Sequence, residues 1–201
     1  MTMRSENAGR QLSRTRRARR EDVVAAAVAV LDRDGFPAAS LEAIAGEAGT
    51  TKGTVLYHFG SKQAVYEAVV AGLFDAGTEY MTARILAAEG HRERLHVYIE
   101  SNLRFIAEHA PHVSAVHRIV ENSGRRVEDD TAVPGLVRIL AAGQKDGEFG
   151  DFDPEIVALA IRAVIDGASF YFTANPDLDI DHHIAEAVRL FDRATAKEAV
   201  S

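Results

Sequence analysis

Residues Ser40–Tyr66 read SLEAIAGEAGTTKGTVLYHFGSKQAVY, and they decide the fold. Ser40 is placed to cap a helix, because its hydroxyl can accept from an orphan N–H of the first turn. Leu41, Ile44, Ala45 and Ala48 then recur at helical spacing. Gly49 can take φ > 0, so it can end this helix and turn the chain sharply. Thr51 is the next N-cap. Val55 and Phe59 are four apart and share one face of a second helix, with Lys52, Thr54 and His58 on its other faces. Two short helices joined by a tight glycine turn make a helix-turn-helix, whose second helix enters the DNA major groove by its N-terminal residues. An αα-hairpin packed on all sides would not carry Lys52, Gly53, Thr54 and His58 in its second helix.

The string A48-G49-T50-T51-K52-G53-T54-V55-L56-Y57-H58-F59-G60-S61-K62 resembles the signature of the TetR family of bacterial transcriptional regulators. The likeness is strong from Arg17 to about Ala71 and weak but compatible beyond it. Two positions depart from the commonest pattern: Thr50, where the family usually has an aliphatic residue, and Leu56, where it often has a tyrosine that touches a phosphate. The resemblance implies an all-helical homodimer with a three-helix DNA-binding head and a larger ligand-binding body.

Composition agrees. The 201 residues are 47% apolar and 26% charged, ordinary for a globular chain with a real core. There is no cysteine, hence no disulfide framework and no thiolate nucleophile, which fits a cytoplasmic location. The N-terminus has no apolar segment of the secretory kind. The longest uninterrupted apolar run, Val23–Leu31, is nine residues, against the roughly twenty that a bilayer requires. No membrane partner is expected.

The net charge of −7 is unusual for a DNA binder, but its distribution is uneven. Residues 1–60 carry nine Lys/Arg against seven Asp/Glu, and residues 61–201 carry fourteen against twenty-three. Arg14, Arg16, Arg17, Arg19 and Arg20 form a basic stretch that could reach phosphates or a minor groove. The acidic remainder repels DNA weakly, since charges beyond about 8–10 Å are screened at physiological salt.

The pattern predicts about nine helices in an all-α fold. Residues 1–16 read as a disordered basic arm, 17–61 as the DNA-binding domain and 62–201 as a ligand-binding and dimerisation domain. Helix one spans Arg17–Asp34, with Val24, Ala27, Val28 and Leu31 inward and Gly35 as its stop. Ser61 caps a long helix from Lys62 to about Ala87, with Val65, Val69, Leu73 and Phe74 inward. Further helices run from about Arg92 to Glu108 and, beyond Pro111, from His112 to Glu121. Residues 122–130 read as a solvated loop, followed by a helix from about Ala132 to Lys145. Asp153-Pro154-Glu155 opens the next helix with an N-cap, a proline at the first position and an acid in the first turn. That helix, to Phe172, is apolar nearly all round and must bury more than one face. The last runs from about His182 to Lys197.

Site residues follow from these faces and from the resemblance. Thr51, Lys52, Gly53, Thr54 and His58 are the groove-facing candidates, and Ser40, Tyr57 and Lys62 the phosphate contacts. Tyr98, Asn102, Phe105, His117, Arg118 and Phe170 are candidates for a small-molecule pocket. Ile161, Ile165, Ile184, Val188 and Phe191 are candidates for a dimer interface. No catalytic residue, cofactor or metal is expected. His109 and His112 flank Pro111, and His117 with Glu121 lacks a definite ligand spacing. The expected partners are double-stranded DNA with a palindromic operator, a second copy of the chain and a small-molecule effector, in keeping with a repressor. An architectural DNA binder without an effector, or a metal-dependent helical-bundle enzyme, are the competing readings.

Overall fold

The structure, a computed structural model, describes residues 2–123 and 132–197, with side chains from Arg14 onward. Among the described residues there are nine helices and no strand: α1 (Thr2–Asp34), α2 (Leu41–Glu47), α3 (Lys52–Phe59), α4 (Lys62–Ala87), α5 (Gly90–Glu108), α6 (Ala110–Ser123), α7 (Ala132–Lys145), α8 (Pro154–Ala174) and α9 (Ile180–Ala194). Most of the expected loop at 122–130 lies outside the described residues. α1 starts at Thr2 rather than Arg17, so the segment expected to be a disordered arm is helical from Thr2. It contains no proline to stop a helix. Pro111 sits in the first turn of α6, where its missing N–H costs nothing, so α6 begins two residues before the expected start.

The chain divides into two compact units. The first takes the residues up to Phe74 and the segment from Ser114; the second takes Asp75–Val113 and the described residues from Ala132. The first unit therefore runs past the expected boundary at Ser61. The reason is packing: Val65, Tyr66 and Val69 of α4 and Ala115, Val116 and Ile119 of α6 are buried in the same core as α1–α3.

That core is built on Val23, Ala27, Val30 and Leu31 of α1, Ile44 and Ala45 of α2, and Val55 and Phe59 of α3. The buried stripe of α1 is broader than expected and turned toward Val23 and Val30; Val24 and Val28 are only partly covered. Each fully buried Val or Leu contributes about 1.5–3 kcal/mol relative to exposure. Gly35, at φ +82°, ends α1. The Arg118 guanidinium donates to the Asp32 carbonyl at 3.3 Å, a cation at the negative end of the α1 dipole. The Tyr66 hydroxyl donates to the Ala39 carbonyl at 2.8 Å, and its ring packs on Phe36, which pins the loop that leads into α2. Phe74, expected to point inward, is 39% exposed.

In the second unit α5 is central and packs on α7, α8 and α9. Leu95, Ile99 and Leu103 meet Leu136 and Leu140, Ile161 and Ile165, and Ile184 and Phe191. α5 has no local side-chain cap at Glu89. Its first N–H groups are answered by Glu148, which accepts from His91 N at 2.9 Å and Arg92 N at 2.9 Å. Those backbone bonds, Arg92 first and His91 next, hold the Glu148 carboxyl below its ordinary pKa. Arg92 also reaches the Glu148 carbonyl and the Asp192 carboxylate, while His96 lies 3.0 Å from the same carboxylate. Phe149 seats directly on Gly143; a Cβ there would lie 2.3 Å from the Phe149 ring.

The residues expected at a dimer interface lie in the core of the second unit. Ile161, Ile165, Ile184 and Phe191 are buried within the unit's own core, with Val188 packed against it. They are covered without a second subunit, because the faces of α8 and α9 that carry them turn toward α5. What α8 leaves in solvent is Ile156, Leu159, Phe170 and Tyr171, with Leu190 on α9. Ala160, Ala163 and Gly167 are exposed between them on α8. By length and composition α8 is also long and apolar enough to cross a membrane, a property its composition hid behind short apolar runs.

Candidate nucleic-acid interface

The turn between α2 and α3 is a Schellman motif. Thr50 N donates to the Ala45 carbonyl at 2.8 Å and Gly49 N to the Gly46 carbonyl at 3.1 Å, with Gly49 at φ +59°. Ser40 caps α2, accepting from Ala43 N at 3.0 Å, and Thr51 caps α3, accepting from Thr54 N at 3.2 Å. Val55 and Phe59 anchor α3 in the core. This leaves Thr51, Lys52 and Gly53 exposed at the start of α3, Thr54 half-buried beside them, and Tyr57 68% exposed a turn later.

The eight expected DNA-contact residues thus all lie on α3 or at the starts of α2 and α4. Several carry an intramolecular role as well. The Lys52 ammonium pairs with the Glu42 carboxylate at 2.7 Å and lowers its pKa through that hydrogen bond. The Thr51 and Thr54 hydroxyls are 3.0 Å apart. Among the described residues Gly53 has only Thr51 Oγ1 near its missing Cβ, at 3.8 Å, so none of them requires a glycine there. Lys62 opens α4, its ammonium 5.4 Å from the Phe36 ring centroid and 5.2 Å from that of Tyr66. Ser61 caps this helix through Ala64 N at 3.1 Å. A helix start with a lysine beside it suits a phosphate.

Two arginines of α1 complete the surface. Arg16 donates to the Tyr57 hydroxyl at 2.5 Å. Arg20 donates to the His58 carbonyl in the last turn of α3 and stacks over Phe59 at 4.1 Å. They are four apart on one helix, so one face of α1 holds the C-terminal half of α3. The arginine stretch was visible in the sequence; which two of its members meet α3 was not, because that depends on the crossing of α1 and α3.

The expected small-molecule residues are divided between the two units. His117 and Arg118 belong to the first unit and the others to the second. Phe170 is 54% exposed. Asn102 is buried and donates to the Tyr98 carbonyl at 2.8 Å, while Arg162 reaches the Tyr98 hydroxyl at 3.2 Å. Phe105 is buried and stacks on His109 with centroids 4.0 Å apart. Tyr98 alone of the six lines a cavity of about 560 Å3, between α4, α5 and α7. Among the described residues no three His, Asp or Glu side chains converge as metal ligands do.

An α2–α3 helix-turn-helix with a polar, exposed helix start, in an all-α chain, defines a DNA-binding transcriptional regulator. Residues 23–69 match the model of the bacterial regulatory proteins of the tetR family. That match covers the helix-turn-helix and the helices on either side of it. The chain is 27% identical over 173 residues to the HTH-type transcriptional regulator BetI of Vibrio parahaemolyticus, covering 79% of this chain and 82% of that protein. Its fold is that of a tetR-family regulatory protein from Rhodococcus RHA1, with a TM-score of 0.75, 20% identity, and coverage of 90% of this chain and 98% of that one. It is also that of AibR, solved with isovaleryl coenzyme A and operator DNA, at TM-score 0.69 and 16% identity over 86% of this chain and 97% of the other.

Proposed function

We propose that this regulator is a cytoplasmic repressor that binds a palindromic operator as a two-fold homodimer and leaves it when a small molecule binds the second unit. The observation that carries the DNA part is Gly53. It sits in the exposed first turn of α3, no neighbour among the described residues needs it, and a missing Cβ lets a helix start approach base edges closely. Thr51, Lys52, Thr54 and His58 then read the groove. Tyr57, Lys62 and Ser40, with Arg16 and Arg20, hold phosphates and set register.

The dimer follows from the solvent face of α8. Ile156, Leu159, Phe170 and Tyr171, with exposed Ala160, Ala163 and Gly167 between them, make an apolar stripe too continuous for ordinary surface. A second copy covers it better than lipid would: Arg162 and Asp166, 2.6 Å apart, lie mid-helix, and charges at that depth are costly in a bilayer. Two heads related by a two-fold axis present α3 twice, about 34–36 Å apart, to successive major grooves.

AibR, of similar fold, is a complex with a coenzyme A ester and operator DNA. For this chain, an effector reading rests on the size of the second unit and its cavities. The effector must bind the DNA-incompetent state more tightly, since affinity alone shifts nothing. The deciding experiment is selection of bound sequences from random duplex DNA. A consensus with two-fold symmetry is the expected result; an asymmetric or featureless set would overturn the reading in favour of an architectural binder.

A further inference from the structure

The charge lining the cavity between α4, α5 and α7 selects the effector's chemistry. Its walls are apolar, chiefly Ile85, Tyr98, Ile139 and Ala142, and its volume of about 560 Å3 is within the range of ligand pockets. Two guanidiniums line it, Arg94 and Arg138, and among the described residues no carboxylate does. Arg94 uses its Nε on the Ala88 carbonyl at 3.3 Å, which leaves the two terminal nitrogens for another acceptor. Arg138 is exposed and makes no ion pair with any described residue. Leu86, on the same wall, is 75% exposed, a large apolar side chain left in water until something covers it. His91 also lines the cavity; its Nε2 is 2.9 Å from Asp146, while its Nδ1 is buried with no hydrogen-bond partner among the described residues.

Two other cavities among the described residues lack this combination. The one of about 350 Å3 sets Glu93 and Glu100 among its arginines, and Arg104 is already paired with Asp181 at 2.9 Å. The one of about 960 Å3 is lined largely by polar groups, Gln144, Lys145, Asp151, Arg193 and Lys197 among them.

We propose that the α4–α5–α7 cavity binds an amphipathic carboxylic acid, with the apolar tail against Ile85, Ile139 and Ala142 and the carboxylate held by Arg94 and Arg138. This rests on the effector reading above for its regulatory meaning, but not for the binding itself. Arginine presents planar paired donors to a carboxylate, and such charge-assisted bonds are about twice as strong as neutral ones. Apolar walls supply affinity for the tail, and the two cations supply the sign of the head group. A cationic ligand with the same tail is rejected by the same two residues.

The test uses the full chain and three probes that share one tail: decanoate, decanol and decyltrimethylammonium, each below its micelle concentration, titrated by calorimetry. Decanoate should bind tightest, decanol more weakly and the ammonium least. The double variant Arg94→Gln, Arg138→Gln should lose about tenfold or more in decanoate affinity and keep its decanol affinity. Its circular dichroism spectrum checks the fold, and Ala142→Trp, which fills the cavity, should abolish both. Equal or tighter binding of the ammonium, or unchanged decanoate binding in the double variant, overturns the proposal. Operator affinity is measured separately. Decanoate that binds through the arginines but leaves operator affinity unchanged upholds this site and ends the effector reading. A different compound that releases operator while decanoate fails to bind does the reverse.

Discussion

The Lys52 ammonium and the Glu42 carboxylate are 2.7 Å apart, a lysine of the recognition helix held by the helix before it. Both side chains are more than half exposed, so the pair adds little to stability. Its consequence lies in binding. Glu42 competes with DNA for Lys52 and adds a negative charge near the groove. Glu42→Gln should tighten operator binding at low salt, and Lys52→Ala should weaken it by about 1–3 kcal/mol while changing base preference at one position. Fluorescence anisotropy on a panel of single-base operator variants measures both. No change in preference for Lys52→Ala would remove this residue from base readout.

Arg16 and Tyr57 should behave differently. Tyr57→Phe and Arg16→Gln should weaken binding to all sequences alike. Arg16→Gln or Lys62→Ala should each lower the slope of log affinity against log salt by about one. Sequence-selective losses would mean that these residues read bases.

The proposed dimer contact on the exposed face of α8 is separable from the core. Leu159→Glu and Phe170→Glu should give folded monomers in sedimentation velocity and lose operator binding. Ile161→Ala, inside the core, should leave the dimer intact and cost about 2–5 kcal/mol of unfolding free energy. A dimer that survives both glutamates would place the two-fold contact elsewhere.

Burial holds the His117 imidazole below its ordinary pKa, with Glu121 opposing it. The unfolded chain then binds more protons than the folded one once the pH drops under about 6.5. The stability of the first unit should be full above that value and fall as the pH descends through the folded pKa. His117→Gln should flatten this acid loss. Urea midpoints at about pH 7.5 and about pH 5.5 for both chains provide the measurement. The same acid slope in the variant would assign the loss to carboxylates of the same unit such as Asp34 and Glu42, whose ion pairs with Arg33 and Lys52 hold them below their ordinary pKa.

The head was legible because its signals are local. Ser40, Gly49, Thr51 and Ser61 act within three or four residues of themselves, and each does in the structure what its residue type predicts. The division of α8 into a buried and an exposed face was not. Ile161 and Leu159 are both apolar residues of one helix, and only the position of α5 decides that the first is buried and the second bare. The same holds for the cavity. Arg94 and Arg138 are far apart in sequence and read as ordinary surface cations until α5 and α7 are packed together.

The cap of α5 carries a consequence for the order of events on the ribosome. Glu89 offers α5 no side-chain cap, and the carboxylate that does so lies 57 residues downstream of His91. While the chain is being made, the start of α5 therefore emerges with its first N–H groups open to water. It cannot be closed until α6 and α7 have followed and Glu148 has cleared the exit tunnel. Domains form as units during synthesis. The second unit should thus stay protease-sensitive at Glu89–Arg92 in nascent chains that stop before Glu148, and become resistant only in longer ones.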